Sequence, residues 1–249
     1  MCTVTWWRSG EGVYGVLFNR DEQRTRPRSL PVAAFSDPGG TDFVCARDGA
    51  AGGTWLMGNA HGVCVGVLNH YEAAGVLPPG ERSRGELPVL FAAARSVDDV
   101  EERLPGMSPE RYAPFLLVAW DGLEERCWQW DGRALARRTP KCALLTTSSV
   151  RSSEVVAWRE RRHAESAAEG EAERAGATGL EAPRWLERFH TDTAHADGAF
   201  NVLMARVDAR TESVCRIVVD SVSVRYRHSR RPANPALADE TFEAMVARY

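Results

Sequence analysis

Two runs of β-branched and aromatic residues, 3–7 and 13–19, flank the turn-forming stretch Ser9-Gly10-Glu11-Gly12. That pattern predicts an antiparallel hairpin at the extreme N-terminus, with Cys2 at the end of its first strand. Apolar runs at 62–69, 115–120, 126–130 and 143–147 predict further strands, two of them turning about Asp121-Gly122. Residues 84–95 carry Leu87, Leu90, Phe91 and Ala94 at helical spacing. A charged helix is predicted over 153–174, with Ser153 as its N-cap. Residues 201–208, 214–219 and 222–226 predict three successive strands, and 241–248 a closing helix. Prolines 27, 31 and 38, with several glycines, mark 23–53 as loop. Residues 164–183, rich in alanine, glutamate and glycine, read as a mobile insertion. Strands, then helices, then strands predict one layered α+β domain over 1–249, not alternating parallel units.

Composition places few further limits. A chain of 249 residues, 44% apolar and 26% charged, buries enough surface to fold without disulfides or metal. A net charge of −3 argues against nonspecific nucleic-acid binding. Of 31 basic side chains only Lys141 is a lysine, which a GC-rich coding bias explains without function. The N-terminus lacks a signal-peptide pattern, and no apolar run approaches the roughly 20 residues of a membrane span. The expectation is a cytoplasmic protein with no integral membrane segment. Cys2, Cys45, Cys64, Cys127, Cys142 and Cys215 are scattered without a C-x-x-C pair, so most read as small buried hydrophobes. His190 and His195 are five apart, the wrong spacing for ligands on one helical face, and no metal is expected.

Phosphate-binding P-loop and serine-elbow motifs are absent. Cys2 follows the initiator methionine, whose removal would leave a thiol and a free α-amine on one residue. The amine, with an ordinary pKa of about 7.7–8.0, suits a general base at neutral pH. On position alone, a second-residue cysteine without a chemical role is the better reading.

The joint pattern goes further. Asn19-Arg20-Asp21-Glu22 ends the second strand, and Arg26-Pro27, Gly52-Gly53-Thr54-Trp55-Leu56, Leu68-Asn69 and Arg84-Gly85-Glu86-Leu87 follow in order. With Met1-Cys2, these residues resemble the NRDE, or Transport and Golgi organisation protein 2-like, family. The resemblance implies an N-terminal-nucleophile (Ntn) hydrolase fold, a four-layer αββα sandwich with two antiparallel sheets. It also implies kinship with cysteine amidases such as penicillin V acylase and bile salt hydrolase. By that kinship Cys2 is the nucleophile, with Arg20 and Asp21 beside it and Asn69 in the oxyanion hole. Asn19, Ser148 and Arg210 are supporting candidates. Ser148 lies in Thr146-Thr147-Ser148-Ser149, where the amidases carry a second asparagine. A guanidinium beside the thiol should favour the thiolate. Met57 departs from the family, which continues with glycine there.

The activity so implied is attack on a non-peptide amide or related acyl bond of a small molecule, through a Cys2 thioester and without a cofactor. Hydrolysis and acyl transfer share that first step. The alternative is a non-catalytic protein handling haem or lipid and acyl-CoA, with Trp6, Trp7 and Cys2 lining its pocket.

Overall fold

The computed structural model describes residues 2–10, 12–74, 80–170, 181–232 and 236–249. The N-terminal hairpin forms as its alternation dictates: β1 (Cys2–Arg8) pairs antiparallel with β2 (Tyr14–Gln23). Gly10 and Gly12 adopt positive φ in the turn, a conformation other residues take only under strain. On the far side β1 pairs with β10 (Leu144–Thr147), and β2 with β11 (Ala209–Val219). Strands β12 (Ser223–Arg230) and β13 (Glu240–Ala247) complete a six-stranded antiparallel sheet ordered β10-β1-β2-β11-β12-β13.

A second, seven-stranded antiparallel sheet runs in sequence order. It comprises β3 (Leu30–Ser36), β4 (Asp42–Arg47), β5 (Leu56–Asn59), β6 (Cys64–Asn69), β7 (Phe115–Trp120), β8 (Glu125–Trp130) and β9 (Leu135–Arg138). The sheets face each other across a core in which Val4, Trp6, Val16 and Phe18 meet Leu56, Leu68, Val118 and Trp120. Each such fully buried apolar side chain contributes about 1.5–3 kcal/mol relative to exposure.

A short helix, α1 (Tyr71–Ala74), follows β6, and further helices cover both outer faces. Met57, Val65 and Val67 of the seven-stranded sheet lie under Leu87 of α2 (Leu87–Leu90) and under Val97 and Val100 of α3 (Val97–Arg103). On the other side Trp7, Leu17 and Val218 meet Ala182 and the Trp185 and Leu186 side chains of α5 (Arg184–His190). Beside α5 runs α4 (Ser152–Gly170). Helices, sheet, sheet, helices: this is the α+β four-layer αββα sandwich with two antiparallel sheets. Among the described residues no helix is long and apolar enough to cross a membrane.

Several elements differ from expectation, each for a local reason. Within 23–53 lie β3 and β4. Strand β3 is an edge strand, mostly exposed, where Pro31 costs no ladder hydrogen bond, so a proline does not exclude a strand there. Where a helix is expected over 241–248, residues 240–247 form β13. Glu, Ala and Met favour helix there, but Phe242, Ala244 and Val246 alternate onto the inter-sheet core and pairing with β12 prevails. Residues 201–208 carry one isolated bridge, Ala205 to Arg210, and no strand. Their carbonyls are taken by side chains: Val202 accepts from Asn19 and Asn201 from Arg159. The helix expected over 84–95 is broken into a 3-10 turn (Arg84–Glu86) and α2, and Leu90 points to solvent. Helix α4 begins at Ser152, one residue before the predicted cap. Of the expected insertion, 164–170 is the last part of α4, and 171–180 lies outside the described residues. Cys142 is exposed, unlike the other cysteines.

Candidate active site

The hairpin register sets Cys2 directly opposite Arg20, with Thr147 of β10 as its neighbour on the other side. Directly opposed residues project from the same face of a sheet, so thiol and guanidinium both point between the sheets. They share a cleft of about 460 Å³ with Asp21, Glu22, Asp48, Trp55, Asn69, Tyr71 and Arg84. A slightly larger depression of about 510 Å³ lies over β11–β13, walled by Arg216, Arg225, Glu243 and Met245 and holding no candidate nucleophile. Chemistry, not size, therefore selects the smaller cleft.

Arg20 is 5% exposed and neutralised on three sides. Its Nη1 donates to Glu212 at 3.1 Å, and its Nη2 to Glu22 at 3.1 Å and to Asp48. Its guanidinium carbon sits 4.6 Å above the centre of the Trp55 ring. A bulge explains Glu212: β2 and β11 slip register between Thr211 and Ser213, and the extra residue turns its carboxylate to Arg20. Glu212 also accepts from Ser29 Oγ at 2.9 Å, while Asp48 is held by Arg26 Nε and Nη2 at 2.9 and 2.8 Å. Burial alone would raise both carboxyls. The Arg20 charge and the Ser29 hydrogen bonds outweigh it for Glu212, as the Arg26 and Ala51 hydrogen bonds do for Asp48, and both fall below the usual range.

That arrangement corrects one expectation. Burial pushes the Cys2 thiol up, and the Arg20 charge is among the smaller influences in the other direction. A guanidinium shared among three carboxylates has little field left for a neighbouring sulfur. The thiol is therefore protonated at neutral pH.

Asp21 accepts from Thr211 Oγ1 at 2.7 Å and faces the guanidinium of Arg159 on α4 at 3.8 Å, both side chains fully buried. Burial, which exceeds the Arg159 attraction, raises its carboxyl pKa. Asn69 Nδ2 donates to Tyr71 Oη at 2.8 Å, leaving a second N–H on the same nitrogen.

The three supporting candidates lie outside the cleft lining. Asn19 faces the helical layer, donating to the carbonyls of His190 and Val202 and bonding His190 Nδ1 at 2.7 Å. Ser148 donates to the Val150 carbonyl within its own turn. Arg210 donates to the carbonyls of Arg231 and Pro232 beside a separate depression. In each case strand alternation or a local turn aims the side chain elsewhere. Trp6 and Trp7, expected to line a haem or acyl pocket, are 6% and 8% exposed; Trp6 packs on Trp120 and Trp7 under α5. They do not fit that assignment.

Residues that sequence reasoning missed include Asp48, Glu212, Tyr71 and Arg159. Asp48 sits between two motifs already noticed, so its position was a usable signal. Arg159 and Glu212 come from distant helix and strand, and nothing in their local sequence marks them.

Comparison with solved structures bears on the architecture. An arginine-to-leucine variant of conjugated bile acid hydrolase from Clostridium perfringens matches with a TM-score of 0.53 at 12% identity, over 100% of this chain and 97% of its own. A cysteine-to-alanine mutant of the same enzyme matches at 0.51 and 12%, with the same coverage. At that identity the likeness establishes the fold, that of the Ntn hydrolases. No curated protein matches the sequence. The family model described as Transport and Golgi organisation 2 matches residues 1–169, a span running from β1 through Cys2, Arg20, Asn69 and Arg84 into α4. With that match over more than half its length, the chain belongs to the Transport and Golgi organisation 2 family.

Proposed function

We propose that this protein cleaves a non-peptide amide, or a related acyl bond, of a small molecule through a thioester on Cys2. The observation that carries the reading is the position of Cys2, at the head of β1, opposite Arg20 and open to a polar cleft. Because burial keeps the thiol protonated, activation has to come from a base and not from a standing thiolate. The free α-amine left by removal of Met1 supplies that base. Cys2 Sγ attacks the carbonyl carbon while the amine takes the thiol proton. The second N–H of Asn69 donates to the developing oxyanion; loss of one such donor typically costs about 2.7–4 kcal/mol of transition-state stabilisation. The C–N bond then breaks and the proton leaves with the amine product. Water, or a second amine, attacks the thioester and restores the thiol. Asp21, adjoining the strand end, orients the α-ammonium by a charge-assisted hydrogen bond. Arg20 with its three carboxylates fixes the second strand against which Cys2 is registered.

Intact-mass analysis after incubation with activated acyl donors tests the reading. A chain beginning at Cys2 should gain one acyl group, and Cys2→Ala should gain none at that residue. Absence of any adduct across a broad donor panel would overturn it. Cys2-dependent haem binding in a Soret titration without acylation would favour the non-catalytic alternative.

A further inference from the structure

The charges lining the cleft are almost fully paired. Arg20 is held by Glu22, Asp48 and Glu212, Arg26 by Asp48, Arg82 by Glu86, and Asp21 by Arg159. Arg84 is the exception: among the described residues no carboxylate lies within 4 Å of it. Its one hydrogen bond there runs from Nη1 to the Pro114 carbonyl at 2.9 Å, which leaves Nε and Nη2 open. The acidic groups close enough to act on it are Tyr71, Cys2 and Glu22. Burial raises the pKa of Tyr71 and Cys2, so both are neutral at neutral pH, and Glu22 is already engaged by Arg20. A half-buried guanidinium that has lost hydration without gaining a counter-charge is held at a cost, which an incoming anion offsets.

The seat of Arg84 is also rigid. It opens the 3-10 turn capped by Ser83, whose Oγ accepts from the Gly85 amide, and the Thr54 amide donates to the Gly85 carbonyl at 2.7 Å. The open edge of a guanidinium presents two N–H groups in the planar geometry that an oxyanion accepts bidentately.

We propose that Arg84 anchors an oxyanion group, carboxylate or phosphate, on the substrate whose acyl carbon reaches Cys2. The proposal rests on the Cys2 reading for its acyl chemistry, and its anion site is testable separately. Two p-nitrophenyl esters of similar length serve as probes, the neutral butyrate and the anionic hemiglutarate. In each, the Cys2 Sγ–carbonyl bond forms, the C–O(aryl) bond breaks, p-nitrophenolate departs, and the thiol proton passes through the α-amine to solvent. The rate of adduct formation is read by intact mass for chains starting at Cys2.

The hemiglutarate should acylate the wild type at least tenfold faster than the butyrate. Arg84→Gln should lower that ratio at least tenfold, Arg84→Lys less, and Arg82→Gln should preserve it. Equal rates in the wild type, or a ratio that survives Arg84→Gln in a variant with native circular dichroism, would overturn the proposal. If neither ester acylates Cys2, the catalytic reading fails and calorimetric titration decides the anion site. Binding of glutarate or inorganic phosphate that weakens at least tenfold in Arg84→Gln supports the site. Binding that is absent, or equal in both proteins, overturns it. The anion bound more tightly identifies the group.

Discussion

Arg159 is fully buried, and its guanidinium is committed to the hydroxyls of Thr3 and Thr146, to the carbonyls of Phe200, Ala199 and Asn201, and to the charge of Asp21. Removing one partner of a buried pair strands the other in low dielectric, at about 3–5 kcal/mol. Arg159→Met should lose that amount in urea unfolding, and Arg159→Lys should recover only part of it, because an ammonium cannot reach five acceptors at once. In a double-mutant cycle, Asp21→Asn should cost less in the Arg159→Met background than in the wild type. Additive losses would show that the two side chains do not couple. The sequence displayed Asp21 inside a motif but concealed its partner, because the separation along the chain carries no local signal. Asn19 illustrates the converse. It shares a motif with Arg20, yet the period-2 alternation of β2 turns it to His190 and the helical layer.

At the level of elements, two motifs thirty residues apart meet by their glycines. A Cβ on Gly53 would lie 2.6 Å from the carbonyl carbon of Gly85, and one on Gly85 would lie 3.2 Å from Gly53 Cα. The first is a clash with backbone that cannot rotate aside. Gly53→Ala should therefore destabilise by about 1–3 kcal/mol, and Gly85→Ala by less, in chemical denaturation. The same displacement moves the 3-10 turn that carries Arg84, so Gly53→Ala should also erode the preference for anionic donors. Equal stabilities for the two variants would count against this close approach. The motifs were visible as sequence; their contact was not, since loop closure between β4–β5 and the turn before α2 is a tertiary event. Likewise β13 is a strand in a helix-favouring sequence, because propensity describes its residues one by one, whereas pairing with β12 and a core beneath Val246 act on them together.

Across the whole molecule, burial lowers His190 to a pKa of about 3 and His163 and His228 to about 4, from 6.5. Each stays neutral in the folded chain while the unfolded chain protonates it. Between about pH 6.5 and 4 the unfolded state thus binds up to three more protons, and stability falls as pH falls. Each proton contributes about 1.4 kcal/mol per pH unit. Urea unfolding measured from pH 7 to pH 5 should show this slope, reduced by about one proton in His190→Gln, whose amide can still meet Thr5. A flat profile above pH 5 would contradict the burial of these rings.

What the sequence determined by itself was local. Alternation and a glycine turn specified the N-terminal hairpin, and the hairpin register alone set Cys2 against Arg20. The resemblance supplied the layer order around it. Tertiary structure decided the electrostatics. Glu212 and Asp48 reach the site across a bulge and a loop and offset the Arg20 charge that would otherwise have favoured a thiolate, while Arg159 reaches Asp21 from a helix. The physical reason is range: backbone pairing acts between near neighbours and repeats every two residues, so it is written in order along the chain. The field at a buried sulfur sums over whatever the fold brings within a few ångströms.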